Sequence, residues 1–535
     1  MTGLPAQNVE DGHISYADPN GITGGHLKQS EIGTFDTVNP YSIKGKAAAG
    51  LTFIYDRLMA RSWDEPFTLY PLIAETIELP EDRSAMIIHL NPKARFNDGT
   101  PITADDVIFS FEILKEFGRP NMRSVYRQVA EVKKIDDLTV KMTFGEGYTR
   151  ETHMIMAMMP VLSKAWWEGR DFEETLLEMP NSSGPYIIKD IQPGNKITYE
   201  RNPDYWAAAA FANNGQNHFD LITYEYYRDD TAALESFLKG NLTLRRENDP
   251  RRWNEQYDNP SIEKLEFDHG RPQQAEAIIM NLRSPLFEDI RVREALFLAF
   301  DGDWIKQNFF QDSLKRTNSY FPNSVLSAEK PVPGEGMDKR VRLQKAQGLL
   351  QEAGWQIVNN QLTRDGQVFE FEILINQAKY EKIVLSYVQS LKRLGMTAHV
   401  RTLDSATFQN RLLDYDYDMI LHRWQNSLSP GTEQMVYWSC AAAREKGRFN
   451  YAGICTPEID ETAEKIANAT TYEDLTEYVH KLDGLLIDSF LSIPLFFNNK
   501  DYIAVQRDAL SVPEKTPIYG PVIEAWSINP ENEEK

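Results

Sequence analysis

FEFEILIN (369–376), KIVLSYVQSLKRLGM (382–396) and TAHVRTL (397–403) follow one another along the chain. The first and last are strand-like, and the middle one is patterned as a helix. A strand, a helix and a second strand in direct succession predict α/β alternation with crossover helices. Upstream, VRLQKAQGLLQEAGW (341–355) places Ala346, Leu350 and Ala353 on one helical face. Gly354 sits where a C′ glycine ends a helix. Further upstream, LRSPLFEDIRVREALFLAFD (282–301) reads as a helix capped by Asp289, with a Val292, Leu296, Ala299 stripe. VPGEGMDKR (332–340), between these two helices, reads as a surface loop.

The N-terminal part has one equally legible stretch, ARFNDGTPITADDVIFSFEIL (94–114). Asn97-Asp98-Gly99 is a turn signal. Thr103 then reads as an N-cap with Asp106 in capping-box spacing. Val107, Phe111 and Leu114 form the apolar face of the helix that follows. SAMIIHL (84–90) just before it alternates as a strand does. Candidate boundaries between units lie at GRPQQ (270–274) and near SIPLFFNN (492–499).

A chain of 535 residues is too long for one hydrophobic core, and its length corresponds to roughly three to four domain-sized units. The composition, 41% hydrophobic and 25% charged, is that of a soluble globular protein. No apolar stretch reaches the ~20 residues that cross a bilayer, so no direct membrane insertion is expected. A net charge of −22 argues against nucleic acid as a partner, because phosphates need a basic surface. The N-terminus, MTGLPAQNVEDGH, has neither a basic nor an apolar signal region. Either a cytoplasmic protein or a mature exported form with an added start Met is expected.

Cys440 and Cys455 are the two cysteines. A pair bracketing one loop fits a disulfide, worth roughly 3 kcal/mol for such a loop, which would favour an oxidising compartment. Two unrelated buried thiols are the alternative.

The motifs of catalysis and nucleotide binding, HExxH, GxSxG, GxGxxG after a strand and GxxxxGK[ST], are all missing. DYDYD (414–418) faintly resembles a calcium loop, but Met419 and Gln425 stand where such a loop needs Gly and Glu. The nine His lack metal-ligand spacing. No enzyme activity and no cofactor are expected. Aromatics set beside polar groups, as in YEYY at 224 and HRW at 422, would suit walls around a polar, flexible ligand. Most of them must still be core.

Taken in order, several stretches resemble the solute-binding proteins of the peptide/nickel class, the extracytoplasmic receptors of ABC importers. They are PLIAETIE (71–78), ARFNDGTPITADDVIFSFE (94–112), SSGPYIIKDIQPGNKITYERNPDYW (182–206), RSPLFEDIRVREALFLAFD (283–301), AQGLLQEAGW (346–355) and SIPLF (492–496). QSEIGTFDTVNPYSIKGKAAAGL (29–51) and RWQNSLSPGTEQ (423–434) are most similar to the Yej-type subgroup, associated with microcin-like and murein peptides. The resemblance implies an α/β, two-lobed periplasmic-binding-protein fold with two hinge strands and a ligand enclosed between the lobes. Lobe I would be 13–271 plus 491–535, with an extra subdomain at roughly 45–180; lobe II would be 272–490. It implies a periplasmic monomer that captures a peptide and delivers it to an inner-membrane ABC permease.

The same resemblance implies the ligand-binding residues. Glu31, Ile32, Gly33 and Thr34 match a loop that offers its main chain to a peptide. Arg123 and Tyr126 would close the pocket, and Arg246, Glu247 and Asn248 would reach it. Arg448 and Asn450 lie inside the Cys440–Cys455 loop. In HRWQNSLSPG (422–431), Arg423, Trp424, Gln425, Asn426 and Ser427 would face the ligand. Many peptide-binding relatives carry an Asp shortly after this Trp, paired with the ligand's α-ammonium; the resemblance puts Asn426 there. An amide cannot neutralise an ammonium, but it can donate to a carbonyl or carboxylate. A murein peptide without a free α-amine at this point is therefore the expected ligand, with an ordinary oligopeptide or a microcin-like peptide as alternatives. The plainer readings are that Asn426 is a turn residue and that Arg245 and Arg246 are a solvated pair salted to Glu247. The rival classes are a murein-peptide hydrolase and a receptor for a partner protein's segment.

Overall fold

The computed structural model describes residues 11–530. They form a central unit, residues 270–500, and a terminal unit built from 11–269 together with 501–530.

The central unit is a five-stranded sheet covered by helices. Its strand order is Thr397–Thr402, Glu370–Ile375, Met419–Trp424, Ala275–Met280, Ser492–Pro494. The first three are mutually parallel, and the last two pair antiparallel. The expected strand–helix–strand is present as Glu370–Ile375, Glu381–Arg393 and Thr397–Thr402. Ile278, Met280, Ile373, Ile375, Met419 and Leu421 of the sheet share one core with Val292, Leu296, Ala346 and Leu350 of the helices.

Local signals end these helices where the sequence places them. Asp289 accepts from the Arg291 N–H at 2.9 Å and starts Ile290–Ala299. Lys339–Glu352 ends at Gly354, whose φ of 86° only a glycine adopts cheaply. The Gly354 N–H donates to Gln351 O and the Trp355 N–H to Leu350 O, each at 2.9 Å. That is a Schellman motif, and the buried Trp355 supplies its apolar contact. The stretch 332–340 is a loop only as far as Asp338. That residue accepts from the Arg340 N–H at 2.8 Å and begins the helix two residues earlier than apolar spacing suggested. Cys440 and Cys455 are joined as a disulfide across their loop.

In the terminal unit, one sheet has the order His26–Ile32, Leu221–Tyr227, Lys196–Arg201, Tyr186–Gln192, with the first pair parallel and the others antiparallel. A second, antiparallel sheet has the order Ala74–Glu78, Ala85–Leu90, Thr139–Phe144, Val129–Asp136. Helix Ala104–Phe117 lies beside it and begins at Thr103, whose N–H and hydroxyl both donate to Asp106 Oδ2 at 3.0 Å. The short strand Leu244–Glu247 pairs antiparallel with residues 502–505. No helix among the described residues is long and apolar enough to cross a membrane.

Candidate functional site

Strand Met419–Trp424 of the central unit carries the start of the HRWQN segment. Side chains of a strand alternate between its faces. Trp424 is buried: its Nε1–H donates to Phe449 O at 3.1 Å and its ring lies 4.7 Å from Trp438 and 5.6 Å from Tyr320. The indole is core, and the expectation that it faces a ligand is corrected. Asn426 is also turned inward. Its amide donates to Gln273 O at 3.1 Å and to Tyr320 O at 2.8 Å, so both donors expected for a ligand are used by the main chain. Ser427 accepts from the Ser429 N–H at 3.2 Å, which shapes the turn.

Arg423 and Gln425 remain available. Gln425 is exposed and accepts from Gln274 Nε2 at 2.8 Å. Arg423 stands opposite Glu276 in the neighbouring strand, with 3.8 Å between Nη1 and Oε1. Glu276 also accepts from the Tyr380 hydroxyl. Lys379 Nζ lies 4.6 Å from the centre of the Tyr380 ring. Burial, and then the hydrogen bond to Glu276, hold the Tyr380 phenol well above its ordinary pKa. Glu276, Lys379 and Tyr380 were not legible as site residues, because they come together from a different strand and from a turn between elements. His422, on the opposite face from Arg423, is pushed down to about 4 by burial and by that neighbouring guanidinium.

The two residues expected to bind from within the disulfide loop differ in placement. Asn450 is fully buried and donates to Ser439 O and Ile454 O while accepting from the Gly453 N–H. It braces the loop and has no donor left. Arg448 is half exposed and pairs with Glu445 at 2.9 Å.

In the terminal unit, Leu244–Glu247 shows the same alternation. Arg245 and Glu247 are buried and Arg246 is exposed. Arg245 donates to Tyr257 Oη at 2.8 Å and to Asp230 at 2.7 Å, and Tyr257 donates to Glu247 at 2.7 Å. Glu247 also accepts the N–H groups of Asn248 and Asp249 at 2.8 Å each. Glu247 is therefore an internal anchor, its carboxylate engaged by Tyr257 and two main-chain N–H groups. The Arg245–Glu247 contact is buried rather than solvated. Asn248 is exposed beside Arg246.

Arg246 reaches the Pro521 carbonyl at 3.5 Å. Near it, burial raises the Glu524 carboxyl, with Arg246 the cation acting against that rise. The sheet's edge strand His26–Ile32 ends close by: Gln29 is opposite Tyr224, and Glu31 is opposite Tyr226. Ile32, Gly33 and Thr34 are exposed. The Gly33 N–H donates to Tyr227 O at 2.9 Å, so that main-chain donor is already used. Glu31 is half-buried, and burial raises its carboxyl; no side chain pairs with it among the described residues. Tyr224 is the group they share. Burial lifts its phenol, Glu524 and Glu31 lift it further, and Arg246 opposes them. Tyr224 and Glu524 are additions that no local sequence signal marks. Tyr126 belongs to the core, stacked on Phe111 at 5.8 Å and 2% exposed, so it closes no pocket. Arg123, one turn earlier in helix Pro120–Tyr126, is half-buried.

Among the described residues no group of three His, Cys, Asp or Glu is placed to hold a metal ion. The two surfaces offer separated charges, hydroxyls and aromatic faces, which is the chemistry of recognition.

Residues 68–445 match the profile of bacterial extracellular solute-binding proteins, family 5. The chain is 34% identical to the peptidoglycan-binding protein YepA of Agrobacterium fabrum, over 98% of this chain and 94% of YepA. It is also 34% identical to YejA of Escherichia coli, over 98% of this chain and 92% of that one. Among solved structures, the periplasmic murein tripeptide binding protein MppA in its unliganded open form has the same fold. Its TM-score is 0.72 at 15% identity, covering 95% of this chain and 99% of MppA.

Proposed function

The chain belongs to the family 5 bacterial extracellular solute-binding proteins, and from that premise we propose that it captures murein peptides whose α-amine is blocked and hands them to an ABC permease of the inner membrane. It works in the periplasm, as a monomer, by binding and release without turnover. The observation that carries the ligand class is the 34% identity, along nearly the whole chain, to a protein named for peptidoglycan binding. The name of the MppA structure points the same way.

The blocked amine rests on the central unit. An ammonium taken out of water needs an anion beside it. Around Arg423 the carboxylate at hand is Glu276, and it is already engaged by Tyr380 and Arg423. Asn426 brings no charge, and its amide is spent on two carbonyls. The local surplus is positive, from Arg423 and Lys379, and suits carbonyl and carboxylate groups.

Calorimetry on protein stripped of co-purified ligand tests this. The muramoyl tripeptide should bind more tightly than the same tripeptide with a free α-amine. A preference for the free amine rejects the blocked-amine reading. Mass spectrometry of the ligand after long incubation should find it unchanged; hydrolysis would reject capture without turnover.

A further inference from the structure

Glu276 and Arg423 are direct partners across the antiparallel pair of the central sheet. Side chains opposed in this way sit within reach of each other, and opposite charges there attract. Here the contact is loose. Arg423 Nη1 stands 3.8 Å from Glu276 Oε1, which is longer than a hydrogen bond. That same oxygen accepts the Tyr380 hydroxyl. Tyr380 belongs to the turn Ala378–Tyr380 that follows strand Glu370–Ile375. This strand flanks the Arg423 strand on the side away from Glu276. The buried phenol thus reaches Glu276 past the strand that carries Arg423. The Arg423 side chain keeps 41% of its surface exposed, and among the described residues its one ion pair is this loose one. Lys379 adds an exposed ammonium 4.6 Å from the centre of the Tyr380 ring.

Two cations therefore face one carboxylate, and the oxygen of that carboxylate nearest the guanidinium is taken by a phenol. We propose that Tyr380 is a positioning residue: by holding the Glu276 carboxylate it keeps the Arg423 guanidinium open for a carboxylate of the ligand, so that the site selects an acid over its carboxamide. A guanidinium meets a carboxylate with two parallel charge-assisted hydrogen bonds, whereas a carboxamide offers one neutral acceptor. That the acid belongs to a murein peptide rests on the reading above; the selection of acid over amide does not.

The test is calorimetry on protein stripped of co-purified ligand. One series is the muramoyl tripeptide with its carboxylates replaced by carboxamides one at a time. The other is the pair N-acetyl-Ala-Glu-Ala and N-acetyl-Ala-Gln-Ala. One replacement in each series should weaken binding about tenfold. Arg423→Met, a change on the exposed face, should remove that discrimination. Tyr380→Phe should remove it too, because the released carboxylate closes on the guanidinium. Tyr380→Phe combined with Glu276→Gln should restore it, since a neutral amide does not compete for Arg423; a merely structural loss at Tyr380 would not be rescued in this way. Glu276→Gln alone should retain the discrimination, and this holds the proposal to account even where Tyr380→Phe fails to fold. Equal affinity for acid and amide in both series overturns the proposal, as does discrimination that survives Arg423→Met or Tyr380→Phe, a double variant without rescue, or its loss in Glu276→Gln. Murein tripeptides that bind without discrimination overturn the positioning role and keep the murein reading. Binding and discrimination confined to the N-acetyl pair do the reverse, and no binding in either series overturns both.

Discussion

Two strands, Met419–Trp424 in the central unit and Leu244–Glu247 in the terminal unit, each begin a run that reads in sequence as one ligand-facing stretch. In both, the pleat sorts that run into two halves. Arg423 and Arg246 face outward, while Trp424, Arg245 and Glu247 face inward. The inward halves differ. The indole of Trp424 needs one acceptor and finds it in Phe449 O. Two buried charges need far more, and Arg245 and Glu247 draw in Tyr257, Asp230 and two main-chain N–H groups. An aromatic wall is thus cheap to bury and an ion pair is not. A polar residue in a strand becomes a site candidate only once the phase of that strand is known.

The largest expected effect separates neighbours within one strand. Glu247→Ala leaves Arg245 buried without its second anion and should cost about 3–5 kcal/mol in urea unfolding. Arg246→Ala, one residue away and facing outward, should change stability by less than about 0.5 kcal/mol. Equal costs for the two would break the alternation on which the comparison stands.

The two units should also respond to pH with opposite sign. In the terminal unit, burial raises the Asp56 carboxyl to about 7, against which the hydrogen bonds of Tyr205 and Trp206 act. A carboxyl whose pKa is raised on folding gives up its proton at lower pH in the unfolded chain. Asp56 therefore costs stability progressively as pH rises from about 4 to about 7, by up to about 4 kcal/mol. In the central unit, His422 is lowered to about 4. The unfolded chain takes up its proton first, so stability falls as pH drops from about 6.5 to about 4, by about 3 kcal/mol. Asp56→Asn should flatten the first dependence and His422→Gln the second, each measured by thermal melts across that window. A variant that leaves its own slope unchanged removes that residue from the comparison.

Much of the fold was legible because its signals are local. The strand–helix–strand at 369–403, the Thr103–Asp106 start and the Gly354 stop each depend on residues within a few positions of one another. The candidate site is not local. Tyr380 meets Glu276 across 104 residues, and Arg246 reaches the Pro521 carbonyl across 275. The family resemblance marked Arg423 and Arg246 as candidates but included their buried neighbours too, since a run of letters does not display the pleat. Asn450 and Asn426 misled for another reason. Asparagine is common both in ligand pockets and in bracing loops, and the two uses differ only in where the amide hydrogens go.

Asn426 gives the smallest of these effects and the most informative one. Asn426→Ala leaves the carbonyls of Gln273 and Tyr320 without their donor and should cost about 1–3 kcal/mol. Asn426→Asp should cost more than the alanine, because a carboxylate would face those two carbonyls with lone pairs and no hydrogen. If this order holds in urea midpoints at constant slope, the amide is a brace, and the missing anion at this position follows from how the segment folds. If the Asp variant is as stable as the Ala variant and also gains affinity for a free-amine tripeptide, the residue is a selector that swings between carbonyls and ligand. Trp424 and Asn426 would then play different parts, the indole fixed in the core and the amide shared with the ligand. The sharp division between inward and outward residues would hold for the strand but end at its last position.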